Sequence, residues 1–200
     1  MPPEFLTSGR TAKPSWLDAP RAWARGRLWW IRIPPLLWVL WTWIHHLNDP
    51  MYSGIAKGID LALHEAGHAI FGWFGEFIGI AGGSLFQCLC PLIALEVLRR
   101  QNDWFGISFC LGWLGTNFFD VATYAADARA MELPLVTPFG GGDGEGEIIH
   151  DWNWLLEHMG WLEHDQLVAG ALRLCGSAAF LACLVCGGWL VREMWKTRSV

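Results

Sequence analysis

Long apolar runs, separated by short polar breaks, make up most of this chain. Glycine, proline and charged residues mark the breaks, and the runs have the composition of membrane helices. The second run is roughly 38 Å long as a helix, which is enough to cross a bilayer. The runs cover residues 28–44, 55–80, 85–98, 104–131 and 168–191. This pattern predicts an all-α fold, a polytopic membrane helix bundle with about four to five membrane segments.

The run 85–98 is short and contains Pro91, so it can either cross as a thin span or enter and leave on one side. Basic residues collect on the cytoplasmic side of membrane proteins, and here they cluster at 10–27, 99–100 and 192–198. All three clusters share one side only if one of the first three runs does not cross: either the proline-interrupted run 28–44 lies in the interface, or the run 85–98 is re-entrant. We expect a cytoplasmic N-terminus, with 85–98 as the re-entrant segment.

Two further regions differ from the apolar runs. Residues 1–27 are expected to form a polar cytoplasmic lead, and residues 28–198 a single membrane-embedded domain. Within that domain, the stretch at about 139–149 is acidic and rich in glycine, which is typical of a flexible loop. Residues 150–164 combine tryptophan and leucine with polar residues, and this predicts a short amphipathic helix in the membrane interface.

The composition supports a multi-pass protein of the cell membrane. Hydrophobic residues make up 53% of the chain and charged residues 16%, against about 25% charged in soluble domains. The chain has 15 tryptophans, and indole rings concentrate at membrane–water interfaces. A net charge of −5 without a basic face argues against a nucleic-acid partner. The expected partner of the chain is the lipid bilayer. The six cysteines lie in apolar runs, where they are expected to pack as small hydrophobic residues.

The stretch His64-Glu65-Ala66-Gly67-His68 carries the clearest chemical signal. Two histidines four residues apart project from the same face of a helix, which suits two ligands of a tetrahedral zinc ion. Glu65 lies beside the expected metal and can act as the general base toward a zinc-activated water. We therefore expect Zn²⁺ as the cofactor, His64 and His68 as ligands, and Glu65 as the catalytic residue.

A third ligand is expected from another membrane segment. Asp120 lies roughly 24 Å into a helix that begins at Trp104, level with the histidines if 85–98 is re-entrant. A carboxylate at that depth is costly unless it pairs, faces water or binds a metal. Asp127 lies a turn or two further along, and His150 lies beyond the helix. Asp120 therefore matches the depth of the histidines best, and Asp127 and His150 remain the alternatives.

The string His64-Glu65-Ala66-Gly67-His68-Ala69, set in an apolar helix, resembles the site-2 protease group of intramembrane zinc metallopeptidases. In that group the third ligand is an aspartate on a later membrane segment, in an Asn-Pro-Asp-Gly-like context. Asn117-Phe118-Phe119-Asp120 has the Asn and the Asp in that order but lacks the Pro and the Gly. The resemblance implies a helical membrane fold, bound zinc and a polypeptide substrate, with Asp120 as the third ligand.

Together these expectations describe a membrane-embedded zinc-dependent endopeptidase that cleaves membrane or membrane-adjacent polypeptides. The alternative is a non-enzymatic membrane protein that binds metal or client polypeptides without hydrolysing them. The two hypotheses differ in whether Glu65 is needed for the cleavage of a peptide bond.

Overall fold

The computed structural model describes residues 15–134 and 149–198. These residues form helices joined by turns, with no strand among them, so the all-α prediction is confirmed for this part of the chain. The predicted acidic loop at about 139–149 lies almost wholly outside the described residues. The α-helices are α1 (Asp18–Ala24), α2 (Ile33–Asn48), α3 (Lys57–Phe71), α4 (Glu76–Arg100), α5 (Trp104–Ala126), α6 (Asp151–His158) and α7 (Asp165–Lys196). Short 3-10 turns occur at Trp30–Arg32, Gly72–Phe74 and Leu162–His164.

Helices α2, α5 and α7 pack together through aromatic side chains. The Phe119 ring of α5 lies 6.0 Å from the Phe180 ring of α7. The Trp43 ring of α2 stacks on the same Phe180 ring, also at 6.0 Å. Val39 of α2 is buried in the same cluster. Such contacts bury large aromatic surfaces, and they make these three helices the frame against which the other helices are placed.

Helices α3 and α4 form a tight antiparallel hairpin. The chain reverses at Gly75, whose φ of 104° is accessible to glycine and strained for other residues. Gly67 and Gly82 bring the two backbones together, because a Cβ on Gly67 would collide with the carbonyl oxygen of Gly82. Nearer the turn, a Cβ on Gly79 would lie 3.0 Å from the Cα of Gly72. The two backbones therefore lie side by side over the stretch that carries the histidines.

Two predicted boundaries are wrong at this hairpin. The run 55–80 does not form one helix, since α3 ends at Phe71 and the chain turns before α4 begins. The run 85–98 is not a separate segment, because it lies inside α4, which is 25 residues long and continues through Pro91. Apolar residues continue through the turn, and the glycines inside α4 resemble a helix break. Hydropathy and turn signals therefore misplace both boundaries.

Two helical stretches of the described residues are long and apolar enough to cross a membrane. They are Glu76–Arg100, which is α4, and Leu162–Lys196, which contains α7. At 1.5 Å per residue, α4 is roughly 37 Å long, more than the hydrocarbon thickness of about 30 Å.

One end of the bundle, which we call the basic end, is formed by α1, the end of α4, the start of α5 and the end of α7. Ala24 of α1, Phe105 of α5 and Met194 of α7 belong to one buried cluster there. Arg21 Nε lies 4.0 Å from Glu193 Oε2. Part of the segment expected to be a polar lead is therefore folded against the bundle.

At the opposite end, α2 and α5 finish and α6 and α7 begin. The Thr123 hydroxyl near the end of α5 donates a hydrogen bond of 2.8 Å to the carbonyl oxygen of Pro50. Arg129 Nη2 lies 2.8 Å from Asp165 Oδ1 and ties the end of α5 to the start of α7. The turn at Gly75 also lies at this end, because α4 runs from it to the basic end.

Candidate metal centre

The close packing of α3 on α4 fixes the orientation of both histidine rings. His64 Nδ1 lies 3.2 Å from Gln87 Oε1, and His68 Nδ1 lies 2.9 Å from the carbonyl oxygen of Gly79. The Gly79 carbonyl oxygen can only accept, so His68 Nδ1 carries a proton and donates, and Gln87, with its amide oxygen toward the ring, favours the same tautomer of His64. In a neutral ring of this tautomer, Nε2 has a free lone pair. Each Nε2 is therefore available as a metal ligand, and the hydrogen bond on Nδ1 holds the ring in place.

The two Nε2 atoms meet at a single carboxylate oxygen from α6. Asp151 Oδ2 lies 2.9 Å from His64 Nε2 and 3.1 Å from His68 Nε2. The three potential ligand atoms lie within 4.8 Å of one another, and this His/His/Asp group can hold a metal ion. His64 and Asp151 are buried and His68 is half-buried, so the group lies largely inside the protein.

Three electron-pair donors that converge in this way need a positive charge between them. Either the rings are protonated and donate to Asp151, or a cation binds all three atoms. In the protonated arrangement, burial raises the pKa of Asp151, but hydrogen bonds from His64 and His68 outweigh that effect and hold the pKa below its usual range. Asp151 is then a carboxylate at neutral pH, which is the form that a metal ligand requires.

Gly83 of α4 lets the two imidazole rings lie directly against the helix backbone. A Cβ at this position would be 2.5 Å from His68 Nε2 and 2.6 Å from His64 Nε2. Both distances are far shorter than a van der Waals contact, so only glycine at this position leaves room for the two rings in this arrangement. The donor set therefore fits a metal, and Gly83 accommodates the two rings that would hold it.

Glu65 and Tyr124 complete the surroundings of the site. Glu65 is half-buried and near enough to His68 and Tyr124 for its charge to act on both. The Tyr124 ring of α5 lies 5.9 Å from the His64 ring, and its hydroxyl oxygen accepts a hydrogen bond of 3.1 Å from the backbone N–H of Asp151. The general base expected from the sequence thus lies beside the histidines.

The structure brings together His64, Glu65 and His68 but does not bring Asp120 into the group. Asp151 stands in the third position, and sequence reasoning did not consider it. The two alternatives to Asp120 contact each other instead, with His150 Nε2 3.2 Å from Asp127 Oδ2.

Depth along a predicted span cannot identify Asp151, because Asp151 lies outside every predicted span. Asp151 is carried by a short helix that folds back against α4 and α5 at the opposite end. In the sequence, an acidic residue at the start of a helix is the ordinary complement of the helix dipole. Asp151 therefore carries no sequence signal that separates a ligand from a helix start.

Comparison with known protein families, curated proteins and solved structures finds no match to this chain.

Exchange of Asp151 for Asn is expected to weaken zinc binding at least about 100-fold, because loss of an outer-shell partner alone typically costs 10–100-fold. Asp120→Asn makes the same chemical change on α5 and is expected to leave the affinity unchanged. Competition with a chromogenic chelator on detergent-purified protein measures both. Loss of zinc by Asp120→Asn with retention by Asp151→Asn would favour the ligand expected from the sequence.

Gly83→Ala is expected to abolish zinc binding, since its methyl group would lie 2.5 Å from His68 Nε2 and 2.6 Å from His64 Nε2 and would displace both rings. Gly170→Ala on α7 is the matched control, because a Cβ there meets nothing within 4 Å. Zinc content by elemental analysis, with helix content by circular dichroism, separates loss of the site from loss of the fold. A helical Gly83→Ala protein with a full complement of zinc would contradict the dependence of the site on the packing of both rings against Gly83.

Proposed function

We propose that this chain is a membrane-embedded zinc-dependent endopeptidase. Its ligands are His64, His68 and Asp151, and Glu65 is its general base. The observation that carries the proposal is the convergence of two imidazole Nε2 atoms and one carboxylate oxygen beside a glutamate on the same helix. Three protein ligands with a remaining open position are typical of catalytic zinc sites, whereas structural sites are usually closed by four.

The distances support zinc as the metal. Ligand atoms around a tetrahedral zinc lie about 3.3–3.4 Å apart when each is 2.0–2.1 Å from the ion. The two contacts of Asp151 Oδ2 are 2.9 and 3.1 Å, so each of these two separations needs to widen by only a few tenths of an ångström. Nitrogen and oxygen donors of this kind also suit zinc chemically.

The proposed reaction is the hydrolysis of a peptide bond. Bound zinc supplies Lewis acidity that polarises the carbonyl and makes water a stronger nucleophile. Glu65 accepts a proton from the attacking water as its oxygen bonds to the carbonyl carbon. Glu65 then gives that proton to the amide nitrogen as the carbon–nitrogen bond breaks, which yields a carboxylate and an amine. His64, His68 and Asp151 hold their positions throughout.

We infer that α2, α4, α5 and α7 cross the membrane and that α3 is re-entrant. At Pro50 the chain lies at the opposite end of the bundle. By Ala56 and Ile59 it lies deeper, because these two residues line a cavity of about 240 Å³ together with Phe109 and Trp113 of α5. Trp113 is roughly 14 Å from the start of α5, close to the middle of the bundle. The chain therefore descends before α3 and returns along α3 to the turn at Gly75.

This topology agrees with the distribution of positive charge. With α3 re-entrant, residues 21–32, 99–100 and 192–198 all belong to the basic end, which is then cytoplasmic. The turn after α3 lies on the other side, and its Trp73 and Phe74 side chains are 91% and 68% exposed. Exposed aromatic rings at that depth fit the membrane–water interface.

The depth of the site then indicates its substrate. Gly83 lies seven residues after Glu76, roughly 10 Å below the start of α4 and roughly 25 Å from its other end. A peptide bond that reaches this depth belongs to a chain in the membrane or adjacent to it. The proposed substrate is therefore a membrane or membrane-adjacent polypeptide, and the bilayer is the surrounding partner.

The topology predicts which residues are accessible from each side. In a variant without the native cysteines, Trp73→Cys is expected to react with an impermeant maleimide added outside intact cells. Asn102→Cys, at the basic end, is expected to react only after permeabilisation. Reaction of Trp73→Cys only after permeabilisation would mean that α3 crosses the membrane and would contradict the re-entrant assignment.

Glu65→Gln is expected to retain zinc and to lose at least about 100-fold in hydrolysis, since general acid–base groups contribute about 10²–10⁴-fold. The probe is fluorescein-labelled casein in detergent micelles, and the matched control is Glu157→Gln, an exposed glutamate on α6. Cleavage by Glu65→Gln at the wild-type rate would exclude Glu65 as the base. Zinc-loaded wild-type protein that cleaves neither casein nor membrane-spanning polypeptides would favour the non-enzymatic metal-binding alternative.

A further inference from the structure

The third ligand depends on contacts that hold a short helix in place. Asp151 is the first residue of α6, which has only eight residues. Isolated helices of this length are not stable in water, so the position of Asp151 is set by what α6 touches. One of these contacts is the hydrogen bond from the Asp151 backbone N–H to the Tyr124 hydroxyl.

His150, directly before Asp151, is hydrogen-bonded on both ring nitrogens. Its Nδ1 accepts a hydrogen bond of 3.2 Å from the backbone N–H of Asn153 and so caps the start of α6. Since Nδ1 accepts, the proton of a neutral ring is on Nε2, which donates to Asp127 Oδ2 at 3.2 Å. The ring is almost completely buried, so water competes little with either bond.

Asp127 is itself fixed to the chain that follows α5. Its Oδ1 accepts a hydrogen bond of 3.0 Å from the backbone N–H of Glu132, and its Oδ2 accepts one of 3.0 Å from that of Leu133. A continuous series of hydrogen bonds therefore runs from the end of α5 through Asp127 and His150 to the first turn of α6. That turn presents Asp151 to the two histidines.

We propose that Asp127 and His150 are positioning residues that hold Asp151 in the geometry required for metal binding. This inference rests on the proposed metal site and deepens it. Neither residue is a ligand: they act through Asp151, as outer-shell partners act on the ligands of other metal sites. Their removal is expected to let Asp151 move while the rest of the site stays in place.

Other contacts keep α6 on the bundle when this connection is cut. The Trp152 indole N–H donates a hydrogen bond of 3.1 Å to Ser84 Oγ of α4. The Asn153 side-chain amide donates one of 2.8 Å to the carbonyl oxygen of Ala128. Loss of the bond between Asp127 and His150 is therefore expected to loosen Asp151 without releasing α6, which separates a positioning role from a role in folding.

The test compares cobalt and zinc affinities of the full chain in detergent for Asp127→Asn, His150→Asn and the double variant. Asparagine at position 150 still caps α6 but does not reach Asp127. His158→Asn is the matched control, because His158 is exposed at the other end of α6 and, among the described residues, its ring bonds within that helix, to the carbonyl oxygen of Trp154. Visible absorption of bound cobalt reports on the directly coordinating atoms, and circular dichroism reports on the helices.

Each single variant is expected to bind both metals 10–100-fold more weakly, with the helix content and the cobalt bands of wild type. The double variant is expected to lose no more than either single one, because both substitutions break the same connection. His158→Asn is expected to bind as wild type does. Asp151→Asn, in contrast, is expected to shift the cobalt bands, since it replaces a ligand.

Wild-type affinity in both single variants would overturn the positioning role, and so would a loss of affinity that follows a general loss of helix. Additive losses in the double variant would show independent effects and would also overturn it. A wild-type protein that binds neither metal would instead defeat the proposed function. A zinc-binding wild type without peptidase activity would leave the positioning role intact, because the affinities do not depend on hydrolysis.

Discussion

The contact between the backbones of α3 and α4 is the constraint on which the site depends. Gly67 and Gly82 let the two helices touch, and Gly83 then lies directly under the two imidazole rings. At this separation α4 supplies the acceptors that fix both rings, through Gln87 and through the backbone of Gly79. A larger residue in this interface would separate the helices, and the histidines would lose both their orientation and the space between them.

The third ligand comes from outside this hairpin, so a bound metal would connect two independently placed parts of the molecule. His64 and His68 belong to the hairpin, whereas Asp151 belongs to a helix held by the end of α5 through Tyr124 and Asp127. Two imidazoles and a carboxylate are costly to bury in a membrane unless their charges are matched. A divalent cation bonded to all three would supply that match, and the polar residues around it would fix its geometry.

Local sequence patterns predict the parts of the site that are near each other in the chain. His64, Glu65 and His68 were identified because helical spacing alone places them together. The turn at Gly75 was missed, since the apolar run continues through it, and Gly82 and Gly83 resembled a break although they are helical packing positions. Asp151 was missed because its approach depends on tertiary contacts of α6, which no local pattern encodes. The expectation that Asp120 is the third ligand depends on the assumption that this ligand lies on a straight spanning helix.

The central claim is that two histidines of α3 and one aspartate of α6 form a single metal centre. Zinc K-edge X-ray absorption of the wild-type protein loaded with one equivalent of Zn²⁺ tests this claim most directly. The account predicts two imidazole nitrogens at about 2.0–2.1 Å, with the remaining positions filled by oxygen at about 2.0–2.2 Å. Sulfur at about 2.3 Å from the six cysteines, or a spectrum of fully hydrated zinc without imidazole, would contradict it.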